Sequence, residues 1–238
     1  MSDLSRVKAL TFDVFGTVVD WRTSIIGETR KLGARKGIDI DWESFVDAWR
    51  GLYQPAMAKV REGRRPWTKL DDLHRESLKK LLAEYRVEGL SEGEVDDLNR
   101  AWHRLDPWPD AVEGLTRLRR EYVLATLSNG NVALLVNMAK RAGLPWDAVL
   151  GAEPARHYKP QPESYLMTAD FLGLAPPQCM LVAAHNHDLL AASQCGYRTA
   201  FVARPTEYGP HQRDDLQAEH DFDVIAGDFI DLADKLGC

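Results

Sequence analysis

The sequence predicts an α/β fold in which a parallel-sheet core carries an all-helical domain inserted after the first strand. The apolar run from Ala9 to Phe12 ends at a lone carboxylate, Asp13, and a glycine turn at Gly16, which is typical of a buried strand. Helical periodicity then replaces strand signals up to about residue 106. From residue 111 onward, helix and strand patterns alternate, which favours right-handed βαβ units and a parallel sheet covered on both faces.

The segment 20–106 is predicted to be a helical cap, and 1–19 with 107–238 the core domain. Asp41 caps a first helix with an apolar stripe, leucines mark a second helix, and a third follows. The stripes comprise Trp42, Phe45, Val46, Trp49 and Tyr53; Leu70, Leu73, Leu78, Leu81 and Leu82; and Val95, Leu98 and Trp102. The two prolines of Pro107-Trp108-Pro109 end helix propagation and mark the return to the core.

The remaining elements complete the sheet. The pattern predicts strands at 122–127, 148–150, 180–184, 199–202 and 223–225, and helices at 111–120, 132–142, 162–172, 187–195 and 229–236. Parallel sheets of this kind bind ligands at the carboxyl ends of their strands.

Bulk composition excludes several classes of function. A net charge of −6 argues against a nucleic-acid or anionic-membrane partner, and the basic run 61–65 is interpreted as a solvated loop. The three cysteines have neither disulfide nor zinc spacing. With no apolar signal region at the N-terminus and no membrane span in the sequence, we expect a cytoplasmic protein.

Polar side chains cluster at four predicted strand ends or loops. Each has an ordinary explanation alone, as a turn, a cap or a surface lysine, but their succession at one edge of a sheet predicts an active site. The candidates are Asp13 with Thr17, Ser128 with Asn129, Lys159 in a proline-rich loop, and His185 with Asp188.

Position 15 indicates the chemistry. A second Asp there would supply a general acid and suggest magnesium-dependent phosphoryl transfer. Phe15 can neither donate a proton nor favour a nearby metal ion. His185 and His187 have no third ligand at metal spacing. We therefore expect carboxylate attack by Asp13 without a metal or any other cofactor.

These segments resemble the four motifs of the haloacid dehalogenase superfamily, and within it the L-2-haloacid dehalogenases. The resemblance covers nearly the whole chain and implies a Rossmannoid parallel-sheet core with a helical cap. It implies metal-independent hydrolysis of small 2-haloalkanoic acids to 2-hydroxy acids through an aspartyl ester. The resemblance to a family whose members are commonly dimeric, together with the aromatic-rich cap, suggests a homodimer.

The resemblance also implies roles for individual residues. Asp13 would be the nucleophile, Lys159 would keep it ionised, and Asp188 would position or deprotonate the hydrolytic water. The remaining side chains would orient the nucleophile, contact the substrate or receive the halide: Thr17, Ser128, Asn129, Arg50, Tyr165 and Phe15. Arg50 also lies at the edge of the first cap stripe, where a side chain can enter a cleft.

The fourth motif departs from better-known members, since Ala183 and His185 stand where a serine and an asparagine are usual. His185 could act as a general base or as a hydrogen-bond donor. Fluoride is a poor leaving group that needs several donors, so His185, together with Arg50, Asn129 and a cap tryptophan such as Trp67, suggests activity on haloacetates including fluoroacetate.

Two alternatives stay open at this point. A phosphatase of the same superfamily would need a metal and an acid at position 15, where the sequence has Phe15. A binding protein on the same scaffold would be expected to lack a motif residue, whereas Asp13, Lys159 and Asp188 are all present.

Overall fold

A computed structural model describes residues 4–238 and confirms the predicted fold class. The strands are β1 (Ala9–Phe12), β2 (Val19–Asp20), β3 (Asp106–Pro107), β4 (Val123–Ser128), β5 (Ala148–Gly151), β6 (Cys179–Ala183), β7 (Arg198–Val202) and β8 (Val224–Ala226). Six of them form a parallel sheet in the order β5-β4-β1-β6-β7-β8. The central strand β1 is fully buried, which explains its continuous apolar run.

Helices cover both faces of this sheet and form the inserted segment. Their bounds are α1 (Trp21–Lys36), α2 (Trp42–Gly51), α3 (Tyr53–Arg61), α4 (Leu70–Glu84), α5 (Glu92–Asn99), α6 (Ala111–Leu118), α7 (Val132–Ala142), α8 (Ala152–Ala155), α9 (Pro162–Phe171), α10 (Asn186–Gln194) and α11 (Phe229–Lys235). Short 3₁₀ turns span Arg100–Arg104 and Pro176–Gln178. Within residues 4–238, no helix combines the length and apolarity needed to cross a bilayer.

The inserted segment differs from the prediction in four ways. Helix α1 (Trp21–Lys36) precedes the three predicted helices and was not predicted, because its buried face includes Thr29 and Gly33 and so gives a weak apolar stripe. Tyr53 begins α3 rather than continuing the stripe of α2, because α2 ends at Gly51. Trp102 lies in the 3₁₀ turn after α5. The strands β2 and β3 pair antiparallel where the chain enters and leaves the segment, and two residues are too few to give a strand pattern. The predicted cap of α2 is present, since Asp41 accepts a hydrogen bond from the Ser44 amide.

The topology of the sheet indicates where a functional site should lie. The chain moves from β1 to β4 on one side and later to β6 on the other, so β1 lies at the point where the strand order reverses. Crevices at such a point, outside the carboxyl ends of the strands, are where ligands bind in open α/β sheets. Asp13 directly follows β1 in this position, and its amide donates to the Val182 carbonyl of β6 at 3.1 Å.

Candidate active site

A cavity of about 420 Å³ opens at this sheet edge and is walled on the other side by α2 and α3. Eight of the ten predicted site residues line it, and the other two, Thr17 and Ser128, do not. Six further residues complete the wall: Tyr53, Gln54, Arg61, Pro160, His187 and Tyr208. The structure therefore brings most of the predicted site residues together around one cavity.

Lys159 lies between two buried carboxylates. Its Nζ is 2.9 Å from Asp13 Oδ1 and also donates to Asp188 Oδ2. The Tyr165 hydroxyl donates to the other Asp188 oxygen at 2.6 Å. Because one ammonium group serves both carboxylates through charge-assisted hydrogen bonds, both acids can stay ionised away from water.

The second oxygen of Asp13 has two donors of its own. Thr17 Oγ1 donates to Asp13 Oδ2 at 2.8 Å, and in turn accepts from the Ala184 amide of the β6 end at 2.9 Å. His185 Nδ1 lies 3.1 Å from the same Oδ2. The Asp13 carboxylate is thus fixed from three directions, by the turn after β1, by the β6 end and by Lys159.

The charge states of these groups follow from their neighbours. Burial works against the charged form of Asp13, but Lys159 and His185 outweigh it and hold the pKa of that carboxyl well below its usual value. Burial likewise opposes the charge of Lys159, but Asp13 and Asp188 leave its pKa above the ordinary value. For His185, burial is overcome by Glu207 and Asp13, and its pKa lies well above the usual value. At neutral pH, Asp13 is a carboxylate facing two cations.

Ser128 and Asn129 have different surroundings at the end of β4. Ser128 Oγ accepts from the Gly130 amide at 3.1 Å and so stabilises its own turn. Asn129 Oδ1 accepts from the Lys159 amide at 2.8 Å, which ties the lysine loop to β4. Asn129 lines the cavity, whereas the substrate-orienting role of Ser128 stays a prediction without a cavity contact.

Arg50 enters the cavity from α2, as its place on the helix predicts. Its guanidinium lies 4.2 Å from the ring centroid of Tyr53 and 5.1 Å from that of Trp21. Its NH1 is buried and has no hydrogen-bond partner within the described part of the chain. An unpaired buried donor on a residue that lines the same cavity as Asp13 is suited to binding an anion such as a carboxylate or a halide.

Phe15 forms part of the same aromatic wall. Its ring meets Tyr53 and Trp102 edge to face, with centroids 6.4 and 5.9 Å apart. The position that would carry a general acid in a phosphatase is therefore apolar and filled. Among residues 4–238, no group of three or more His, Cys, Asp or Glu side chains is arranged to hold a metal ion.

Two interpretations of the sequence need correction. Trp67 does not line the cavity, because its ring stacks on Tyr158 with centroids 4.7 Å apart. Arg61 is not part of a solvated loop. It ends α3, donates to the Lys159 carbonyl at 3.1 Å and lines the cavity.

Sequence reasoning missed Glu207. This buried residue lies in the loop after β7, and its Oε2 is 2.9 Å from His185 Nε2. Its Oε1 accepts from Trp21 Nε1 at 2.9 Å and lies 4.0 Å from Arg50. A signal existed, since the carboxyl end of β7 points to the same sheet edge as β1 and β6.

Fold and site place the chain in a known family. A family model for haloacid dehalogenase-like hydrolases matches residues 7–196, and the chain belongs to this family, as the motifs predicted. Within it, the chain is similar to a defluorinating L-2-haloacid dehalogenase of known structure, with 49% identity and a TM-score of 0.96 over 98% of this chain and 96% of that one.

Two further relatives belong to the same group of enzymes. The (S)-2-haloacid dehalogenase 4A of Burkholderia cepacia is 30% identical over 86% of this chain and 88% of its own length. The L-2-haloacid dehalogenase of Xanthobacter autotrophicus, solved with chloropropionic acid covalently bound, is 25% identical with a TM-score of 0.80, covering 97% of this chain and 98% of that one.

Proposed function

We propose that this protein is a 2-haloacid dehalogenase that hydrolyses small 2-haloalkanoic acids to 2-hydroxy acids through an ester on Asp13. The observation that carries the proposal is the ionised Asp13 carboxylate, held by Lys159 in a cavity whose acid position is occupied by Phe15. The similar L-2-haloacid dehalogenases support the substrate class.

In the first step an Asp13 oxygen attacks C2 of the substrate from the side opposite the halogen. The new C–O bond forms as the carbon–halogen bond breaks, and the halide leaves with the bonding electron pair. Arg50, whose NH1 is unpaired, and Asn129 both line the cavity in which the substrate carboxylate and halide would lie. No proton is needed by the departing halide.

In the second step water attacks the carbonyl carbon of the Asp13 ester. Asp188, oriented by Lys159 and Tyr165, accepts the proton of this water. The bond between the Asp13 carbonyl carbon and the Asp13 oxygen now attached to C2 then breaks, this oxygen takes the proton from Asp188, and the 2-hydroxy acid leaves. The second proton of the water passes to solvent. Asp13 returns as a carboxylate that contains one oxygen from solvent.

We include fluoroacetate among the proposed substrates. The support is the 49% identity to a defluorinating enzyme and the donors around the site, Arg50, Asn129 and His185. Fluoride release from fluoroacetate, measured with an electrode, tests this part. Chloroacetate serves as the positive control, and background fluoride from an enzyme that releases chloride would refute it.

A halide-release panel tests the proposed function itself. We expect halide from chloroacetate, bromoacetate and L-2-chloropropionate, with unchanged rates in EDTA because no step uses a metal. Turnover in ¹⁸O-water should label Asp13 before product, as a covalent mechanism requires. Absent halide release, with EDTA-sensitive hydrolysis of phosphate esters, would instead establish the phosphatase alternative.

The proposal extends to organisation. We propose that 20–106 acts as a cap on the core formed by 1–19 and 107–238, and that the protein is a cytoplasmic homodimer. The free thiols of Cys179, Cys195 and Cys238 fit a reducing compartment, and the exposed Leu166 and Phe171 of α9 offer apolar surface. Light scattering coupled to gel filtration measures the oligomeric state.

A further inference from the structure

The ring of His185 is held between two carboxylates from different parts of the core. Nδ1 faces Asp13 Oδ2 at 3.1 Å and Nε2 faces Glu207 Oε2 at 2.9 Å. All three side chains are buried. An ionised carboxylate only accepts hydrogen bonds, so both ring nitrogens must carry a proton to satisfy this geometry. A neutral imidazole would direct a lone pair at one of the two oxygens.

Glu207 is itself fixed in place. Trp21 Nε1 donates to its Oε1 at 2.9 Å. Gly16, in the turn after Asp13, has a φ of +86°, and a Cβ at this position would come within 2.0 Å of Glu207 Oε1. Any side chain at position 16 would therefore collide with the Glu207 carboxylate. Glu207 thus packs directly against the turn that follows Asp13.

Resting on the proposed function, we propose that Glu207 is a positioning residue that keeps His185 doubly protonated, so that the imidazolium donates to Asp13 Oδ2 and stabilises the oxyanion during ester hydrolysis. Three other titratable groups lie near His185 and Glu207. The ring centroid of His187 is 5.8 Å from that of His185, and Arg50 and Tyr208 lie on the Glu207 side. Glu207 is the carboxylate that directly contacts Nε2.

The hydrogen bonds of Asp13 assign its two oxygens to different tasks. Oδ2 accepts from both Thr17 and His185, whereas Oδ1 accepts from Lys159 alone. The less committed Oδ1 has the lone pair free for attack on C2 and becomes the ester oxygen. Oδ2 becomes the carbonyl oxygen, and when water adds to the carbonyl carbon its π electrons move onto Oδ2. The donors already in place form the oxyanion site.

The need for Glu207 arises at the ester stage. In the resting enzyme, Asp13 is charged and can hold a proton on His185 by itself. Once the ester forms, Asp13 is neutral, and Glu207 is the remaining carboxylate in contact with the ring. Removing the charge of Glu207 should therefore impair hydrolysis of the ester and leave its formation nearly unchanged.

Glu207→Gln tests this because glutamine keeps the shape and an oxygen for Trp21 but lacks the charge. In single turnovers with chloroacetate, followed by intact-protein mass spectrometry, we expect the ester to accumulate. Its hydrolysis should slow by at least ~10-fold, less than the ~10²–10³ lost with an entire oxyanion donor. Formation of the ester, read from the halide burst, should stay within about threefold of the wild type because Lys159 still holds the nucleophile ionised.

Two signatures separate positioning from a merely structural effect. Chloroacetate, bromoacetate and fluoroacetate would give the same ester, so the slowing should be identical whichever substrate forms it. In Glu207→Gln, hydrolysis should also decline as the pH rises through the ordinary histidine pKa of about 6.5, whereas wild-type hydrolysis should show no such decline up to pH ~8. A slowing that depends on the halide, or that is independent of pH, would overturn the proposal.

Controls use a neighbouring carboxylate and a second variant. Asp110 Oδ2 accepts a hydrogen bond at 2.7 Å from Arg204, which lies three residues before Glu207 on the same loop. Asp110→Asn removes the charge that holds Arg204 and so loosens this loop without changing Glu207. If loop displacement alone caused the ester to accumulate, Asp110→Asn would also accumulate it, and we expect that it does not. Glu207→Gln combined with His185→Asn should be no slower than His185→Asn alone, since Glu207 acts through His185. Additive losses would refute this coupling.

A measurement on the unmodified protein keeps the proposal testable if Glu207→Gln does not fold. Nitrogen-15 spectra of histidine-labelled wild type at pH ~8 should show an imidazolium signal that is absent from His185→Asn. A neutral His185 at that pH would overturn the proposal. Wild type that releases no halide would refute the proposed function, whereas active wild type with a normal Glu207→Gln ester lifetime would refute the role of Glu207 alone.

Discussion

Replacing Lys159 with methionine tests whether one ammonium group sustains both the fold and the nucleophile. Its side chain is 7% exposed, and those of Asp13 and Asp188 are 10% and 4% exposed. Methionine retains an apolar stem of similar length but carries no charge. The two carboxylates would then share a buried space without the cation that bridges them.

The expected loss of stability is large and depends on pH. Removing one partner of a buried ion pair costs about 3–5 kcal/mol, and here one cation serves two acids, so we expect the upper part of this range near pH ~8. In the wild type the lowered pKa of Asp13 contributes stability above its unfolded-state value near ~3.9, which is lost only as the pH falls through the lower folded-state value. In the variant, His185 is the remaining cation for two buried carboxyl groups, so burial favours proton uptake by this pair on folding. Its stability should therefore rise as the pH falls from ~8 to ~5.

Urea unfolding of both proteins at these two pH values measures the effect, and halide release should fall by at least ~10²-fold in the variant. Lys69→Met is the matched control, since Lys69 pairs with Glu153 at 2.8 Å with half of its side chain exposed, and a surface pair contributes only ~0–1 kcal/mol. A stability loss in Lys159→Met that equals the control, or that is the same at both pH values, would refute the electrostatic reasoning.

Three other substitutions follow from the same contacts. Asp13→Asn should abolish halide release and ester formation in mass spectra, and residual ester would assign the nucleophile elsewhere. Asp188→Asn should lower halide turnover at least ~10²-fold while a stoichiometric burst persists, since it removes the acceptor of the water proton; loss of the burst as well would contradict this. Tyr165→Phe deletes one hydrogen bond to Asp188, so steady-state turnover should fall less than in Asp188→Asn, and an equal loss would contradict a merely orienting role.

The sequence predicts most of the sheet and its functional edge because both depend on local patterns with a fixed consequence. An apolar run followed by Asp13 indicates a buried strand end, and parallel strand ends must converge once the strands are neighbours. That is why Asp13, Asn129 and His185, which are far apart in the chain, could be assigned to one site in advance.

Features that depend on tertiary packing could not be predicted in this way. The tryptophan beside the site is Trp21 rather than Trp67, because Trp67 is held against Tyr158. Arg61 belongs to a charged run that is usually solvated, and only the approach of α3 to the lysine loop brings it to the cavity. Glu207 lies in a loop without periodicity, so its contact with His185 depends on the path of that loop.

Phe15 and Glu207 together explain how this site differs from one that transfers phosphoryl groups. An acid beside Asp13 is needed when the leaving group is an alkoxide that must be protonated, but a halide leaves as a stable anion. Phe15 instead closes the aromatic wall against Tyr53 and Trp102. The carboxylate that does reach the nucleophile's turn, Glu207, is bound to Trp21 and His185 and has no oxygen free to protonate a leaving group. The site thus retains an acid next to the turn that follows Asp13, and in the proposed mechanism the charge of this acid acts, through His185, on the ester that dehalogenation forms.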